Sequence, residues 1–155
     1  MPHYETERHV AHSTGDMFAL VGDVERYPEF VPFCERLVVR ARRQDGSAEV
    51  IVADMTVGYR AIRETFTTRV VLDRSSLVVS AQYLEGPFRH LDSRWLFTPD
   101  GPGKCRIHFS IDYEFRSRLL ALVMGALFDG MFRRFVEAFE ARADAIYGRA
   151  AALRG

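Results

Sequence analysis

Lysine is almost absent from this chain: of 21 basic residues, 20 are arginine and only Lys104 is lysine. A GC-rich bacterial genome explains that skew more simply than phosphate binding does. Neither sign of charge is in excess, with 21 basic and 21 acidic residues, so no global field draws the protein to nucleic acid, and direct DNA binding is not expected. Cysteine is scarce as well. Cys34 and Cys105 both sit in stretches that read as structured, so reduced, partly buried thiols are expected. His3, His9, His12, His90 and His108 have no zinc-type spacing with each other or with the cysteines, and no metal site is expected. No phosphate-cradling glycine loop occurs, because Gly101-Pro102-Gly103 reads as a turn, and no nucleophile-elbow pattern is present. Long apolar runs are missing too. The longest, Leu119 to Phe128, reaches about 15 Å as a helix, half of what a bilayer core requires. The first residues, Met1-Pro2-His3-Tyr4-Glu5, carry neither a positively charged start nor an apolar stretch of signal length, which leads us to expect a cytoplasmic protein.

At 155 residues the chain has the length of one ordinary domain. We expect a single domain over residues 1–150 and a short tail over 151–155. A polar strand over about His3–Ala11 precedes a helix over Gly15–Gly22, capped by Ser13 or Thr14. Strand patterns then follow at about 37–43, 49–57, 61–72, 77–84, 90–97 and 105–115. They are separated by turn signals such as Asp45-Gly46, Asp73-Arg74-Ser75-Ser76 and Pro99-Asp100-Gly101. This order predicts an antiparallel meander. In the last strand Cys105, Ile107, Phe109, Ile111, Tyr113 and Phe115 alternate with Arg106, His108, Ser110, Asp112 and Glu114, the pattern of one buried face and one wet face. Only the C-terminal helix, about 117–147, is long enough to cover such a sheet. Its second half is amphipathic through Phe132, Phe135, Val136, Phe139, Ala143 and Ile146. Its first half, residues 119–128, is apolar all round, and deeper burial, a protein interface and the wall of a lipid tunnel compete to explain it. Gly125 and Gly130 within it serve either close packing or space and bending for a ligand.

Between the first helix and the second strand lies the densest segment, Asp23-Val-Glu-Arg-Tyr-Pro-Glu-Phe-Val-Pro-Phe-Cys34. Tyr27, Phe30 and Phe33 recur every third residue, so a short helix is expected to present all three rings on one side until Pro32 stops it. Such a helix plugs one end of a core or closes an apolar cavity as a lid.

This segment resembles the D-V-E-x-Y-P-x-F-x-P-x-C signature of the coenzyme Q-binding START-domain proteins, whose bacterial branch includes the ribosome-association toxins. Glu85-Gly86-Pro87-Phe88, Leu91 and Trp95-Leu96-Phe97 are similar to the second motif of that family, and the likeness runs from His3 to about Tyr147. It implies an α+β fold of the START-like helix-grip type, a curved antiparallel β-sheet of six to seven strands wrapped around a long C-terminal α-helix. It implies a non-catalytic binder of ubiquinone or a related polyprenyl lipid that supports respiratory electron transport. No cofactor other than that bound lipid is implied. Tyr27, Phe30, Phe33, Trp95 and Phe109 would then supply an aromatic surface for the head group, and Leu120, Met124, Leu127, Phe128 and Met131 a wall for the tail. Arg63, Tyr83 and His90, which lie near turns or on strands, are the candidates for a donor to the head group.

Two rivals share the fold. A ribosome-directed inhibitor of translation initiation would use a basic patch, for which Arg36, Arg40, Arg42 and Arg43 around one hairpin qualify. A polyketide cyclase or dehydratase would need an acid or base inside the cavity, and the apolar face of residues 105–115 offers none. The expected partners are therefore an apolar small molecule, a ribosome in the rival reading, and transient contact with the inner face of the bacterial inner membrane.

Overall fold

The computed structural model describes residues 3–59 and 61–148; the tail expected over 151–155 lies outside the described residues. Elements follow in the order β1 (His3–Val10), α1 (Thr14–Gly22), a 3-10 helix (Val24–Glu29), β2 (Cys34–Asp45) and β3 (Ala48–Tyr59). Then come β4 (Ile62–Asp73), β5 (Val78–Glu85), β6 (Phe88–Pro99), β7 (Cys105–Phe115), α2 (Arg118–Ala143) and a π-helical turn (Asp144–Gly148). The seven strands form one antiparallel sheet in the order β1-β7-β6-β5-β4-β3-β2. Strands β2 to β7 are the expected meander. β1 adds itself beside β7, pairing His3 with Asp112 and Val10 with Cys105, so the two ends of the chain's strand set meet while β1 and β2 remain edges.

Local chemistry accounts for most boundaries. The Ser13 hydroxyl accepts from the Asp16 N–H at 3.1 Å and starts α1, and the Ser117 hydroxyl accepts from Leu119 and Leu120 to start α2. Asp45 pairs with Ala48 across the tight turn Gly46-Ser47, with Gly46 at φ 64°, the left-handed region that glycine enters without penalty. Gly86 has φ 141°, and a Cβ there would sit 2.7 Å from Phe66 Cβ and 2.9 Å from Phe66 Cα. The turn between β5 and β6 therefore needs glycine on both counts.

Curvature has a visible source. The register shifts by one residue in β2/β3 at two places, in β4/β5 beside Thr67 and in β6/β7 between Phe88 and His90. Each bulge bends its strand and increases the local twist, which turns a flat sheet into a trough. Along β7 the six expected residues are buried and face α2. Ring contacts tie helix to sheet: Phe139 lies 5.0 Å from Trp95, Phe132 5.4 Å from Tyr113, and Phe128 5.1 Å from Phe115 between centroids. α1 closes one end of the trough, with Phe18 edge-on to Phe97 at 6.3 Å.

Two expectations are corrected. The aromatic segment does not put its three rings on one side. Its helix is 3-10 and ends at Glu29, Phe30 leaves it at φ −147°, and Phe33 reverses direction at φ 65°. Pro32 bars helix at Val31, and the left-handed Phe33 aims its carbonyl at the Gly58 N–H, 2.9 Å away. The C-terminal helix stops being regular at Ala143 and continues as the π-turn.

Candidate functional site

Between the trough and α2 lies an internal cavity with about 120 Å³ of space for the centres of water-sized spheres. One water needs roughly 10–15 Å³ on that measure, so this is a chamber and not a packing flaw. Its floor is the concave face of the sheet, where alternation delivers inward residues from six strands, β2 to β7. Ala53 of β3 pairs with Thr68 of β4, and one step along the sheet Val70, Ala81, Ser93 and Ile111 form a continuous row across β4 to β7. The floor is deep there because alanine and serine stand where Trp95 and Phe109 stand in the next row. The roof is one stripe of α2, Phe128, Met131, Phe132 and Phe135, at helical spacing.

The 3-10 segment and the chain after it close the chamber. Val24, Tyr27, Val31, Pro32 and Cys34 line it. The segment is held down by three kinds of contact with the second half of α2. Tyr27 and Phe30 each meet Phe139 edge-on, at 5.2 and 5.0 Å. Arg142 lies over the Phe30 ring, 5.1 Å from its centroid, and pairs with Glu29 at 2.9 Å. The Tyr27 hydroxyl donates to the Val21 carbonyl.

Among the described residues, the 24 that line the cavity include no charged side chain. The ionisable groups present are held neutral. Burial pushes the Cys34 thiol up to about 11, and burial likewise pushes the Tyr27 hydroxyl well above the usual tyrosine range. An acid or base poised near pH 7 is what general acid–base chemistry requires, and the lining described here holds none. No cluster of metal-ligating residues occurs among the described residues.

Of the ten residues expected to bind ligand, Tyr27, Trp95, Phe109, Phe128 and Met131 line the cavity together. Met124 is buried in the core but outside the lining, and Leu120 is half-buried against that core. Phe30 and Phe33 pack on the core from outside the lining. Leu127 lies in α2, and its side chain is outside the described residues. The three donor candidates are elsewhere. Arg63 pairs with Glu35 at 2.6 Å, the Tyr83 hydroxyl accepts from the Phe88 N–H at 3.2 Å, and His90 stands 3.7 Å from Glu114. Two inward hydroxyls of the lining, those of Thr68 and Ser93, went unnoticed in the sequence. Their signal is a small polar residue at an inward position: Leu91, Ser93, Trp95 and Phe97 share one face of β6, and only Ser93 is not apolar.

A family model described as polyketide cyclase/dehydrase and lipid transport matches residues 10–140. The ribosome association toxin RatA of Escherichia coli (strain K12) is 33% identical over 147 residues, which is 95% of this chain and 90% of the toxin. The mitochondrial coenzyme Q-binding protein COQ10 of Drosophila melanogaster is 33% identical over 139 residues, covering 88% of this chain and 56% of that longer protein. The solution structure of the 18 kDa protein CC1736 from Caulobacter crescentus superposes with a TM-score of 0.78 at 33% identity, over 96% of this chain and 99% of the other. The chain shares its fold with a START superfamily protein from Mycobacterium smegmatis (TM-score 0.78, 20% identity, 93% of this chain and 98% of the other). Matched along most of its length by the family model, and a third identical to relatives across nearly all of it, the chain belongs to the polyketide cyclase/dehydrase and lipid-transport family.

Proposed function

We propose that this protein binds a polyprenyl quinone, ubiquinone or a close relative, in the cavity without transforming it, and supports respiratory electron transfer by delivering or sequestering that lipid. The observation that carries this reading is the lining: ring and aliphatic surface on floor, roof and lid, with no charged group among the described residues. An apolar chamber with a few hydroxyls suits a lipid with a weakly polar head. The coenzyme Q-binding relative named above supports the choice of quinone.

A carrier must exchange its cargo with a membrane. No helix among the described residues is long and apolar enough to cross one. The first turns of α2 instead expose Leu119, Leu122 and Val123, with the exposed Arg116 and Arg118 beside them. Apolar side chains flanked by arginine suit the interface of an anionic bilayer, and we assign this face to transient contact with the inner face of the inner membrane.

The test is extraction of protein purified from a quinone-producing bacterium, followed by mass spectrometry beside a control protein. Near-stoichiometric ubiquinone is the expected result. A folded protein whose extract matches the control, and which takes up no added ubiquinone, overturns the reading.

Similarity to RatA over 95% of this chain favours one other reading, a protein that acts on the ribosome. Its basic patch is partly neutralised here: Arg42 pairs with Glu25 at 2.7 Å and Arg40 lies 3.7 Å from Asp54. Sedimentation of ribosomes with added protein separates the two, since a quinone carrier leaves subunit joining unchanged.

A further inference from the structure

The cavity's hydroxyls differ from those on the outside of the same sheet. On the outer face Thr67 donates to Asp54 at 2.5 Å, and Thr56 and Thr65 bond each other at 2.9 Å. On the inner face, among the described residues, the hydroxyls of Thr68 and Ser93 have no hydrogen-bond partner, although Thr68 is only 8% exposed. Both hydroxyls open onto the cavity, so an apolar occupant would strip them of water at a cost unless it supplied a partner. Valine or alanine would fill either position without that cost. Ser80, which also borders the cavity, is a different case: it pairs with Val71 and Arg94, so alternation turns its side chain to the outer face.

Thr68 and Ser93 are separated by a definite gap. Ser93 stands directly across from Ala81, Ala81 across from Val70, and Thr68 is two residues before Val70. Two strand spacings and two residues put their Cα atoms roughly 12 Å apart. A six-membered ring with a carbonyl at each end, and a hydrogen bond of about 2.8 Å on each oxygen, spans the same scale. On β5, between the two, stand Ala81 across from Ser93 and Tyr83 across from Thr68; Ala81 offers only a methyl, so the floor is low on the Ser93 side of the gap. Trp95, two residues beyond Ser93 on the same face, is the wall at its edge.

We propose that Thr68 and Ser93 are the head-group anchors of this cavity, donating hydrogen bonds to the two opposed carbonyl oxygens of a para-quinone ring seated over Ala81. The tail then runs under Phe128, Met131 and Phe135 towards the side of the chamber where Leu37 and Met55 are half-exposed. This inference rests on the quinone reading and adds to it a place, an orientation and a donor pair.

Trp95 is the single tryptophan and lines the cavity, so its fluorescence reports binding. The probes are a ubiquinone with a two-unit isoprenoid tail and the same tail on a benzene ring lacking carbonyls. Thr68→Val and Ser93→Ala are each expected to weaken the quinone about five- to tenfold while leaving the carbonyl-free probe within about twofold of wild type. Wild-type binding of the quinone with no loss in either variant overturns the anchors and leaves the carrier reading standing. No quinone binding by wild type overturns the carrier reading, and the anchors with it. Should a variant fail to fold, infrared spectra of the quinone bound to wild type decide: carbonyl bands lowered from their position in hexane support the anchors, and unshifted bands overturn them.

Discussion

In the C-terminal half of α2, Val136, Phe139 and Ala143 are wholly buried, whereas at its N-terminal end Leu119, Leu122 and Val123 are 69%, 81% and 49% exposed. The first half is the more apolar by sequence and the less covered in the fold. Met124 and Phe128 do face the core, each 3% exposed, so the inner stripe runs the full helix and only the outer face changes. The second half carries its charges outward: Arg142 clasps Glu29, and Arg8 meets Glu140 at 3.5 Å. In the first half apolar side chains take the place of those charges. Apolar residues all round a helix therefore do not demand burial all round. Here they pair a core face with an exposed one, and deeper burial, one of the expected explanations, is set aside.

The largest effect that would sharpen this contrast is in the second half. Phe139 meets Tyr27, Phe30, Trp95 and Phe135 within 5.0 to 5.2 Å. Phe139→Ala is expected to cost about 3–5 kcal/mol in urea unfolding. A loss below 1 kcal/mol would mean that the lid and sheet hold without this helix.

Next is the exposed face. Replacing Leu119, Leu122 and Val123 together with serine should leave unfolding free energy within about 1 kcal/mol of wild type. It should also reduce partition onto vesicles containing anionic lipid at least tenfold, or about 1.4 kcal/mol. Unchanged partition would remove the membrane from the account of this face.

Glycine gives a smaller effect. A Cβ on Gly125 or Gly130 would meet nothing within 4 Å, so close packing is not why either is glycine. Gly130→Ala should raise stability by about 0.5–1 kcal/mol. If it also slows uptake of ligand in stopped-flow fluorescence, bending of α2 belongs to loading.

The smallest effect concerns the clasp. Hydrogen bonds from Arg26 and then Arg142 hold the Glu29 carboxyl below its ordinary value of 4.5. A depressed carboxyl contributes stability that is present above the unfolded value and lost as pH falls through the lower folded value. The gap in stability between wild type and Glu29→Gln should therefore be small at pH 7 and close as pH drops below 4.5. A gap that persists undiminished at low pH would assign Glu29 a role other than its charge.

Much of the sheet was legible because strands report burial directly. The alternation from Cys105 to Phe115 and the turn at Asp45-Gly46 are local signals, and both strands and turn stand where those signals put them. The Ser13 cap of α1 is equally local, as is the Ser117 cap of α2, which was not read in advance. The lid was only partly legible. Its rings and prolines announced a compact segment, but the left-handed Phe33 depends on a carbonyl finding the Gly58 N–H across the sheet, a contact with no signature in residues 23–34. The cavity was legible as apolar and not as a place. Five of the ten expected residues line it, while Phe30 and Phe33 were turned aside by the same reversal.

What the sequence determined by itself was the family likeness, the meander, the long helix and the supply of ring and aliphatic side chains, because periodicity and turn chemistry act over a few residues. Tertiary structure alone decided which inward residues face space. Ala53, Thr68, Ala81 and Ser93 come from four strands, and only pairing and the bulges that curve the sheet put them side by side beneath α2. A chamber is a volume between surfaces, and no single segment encodes one.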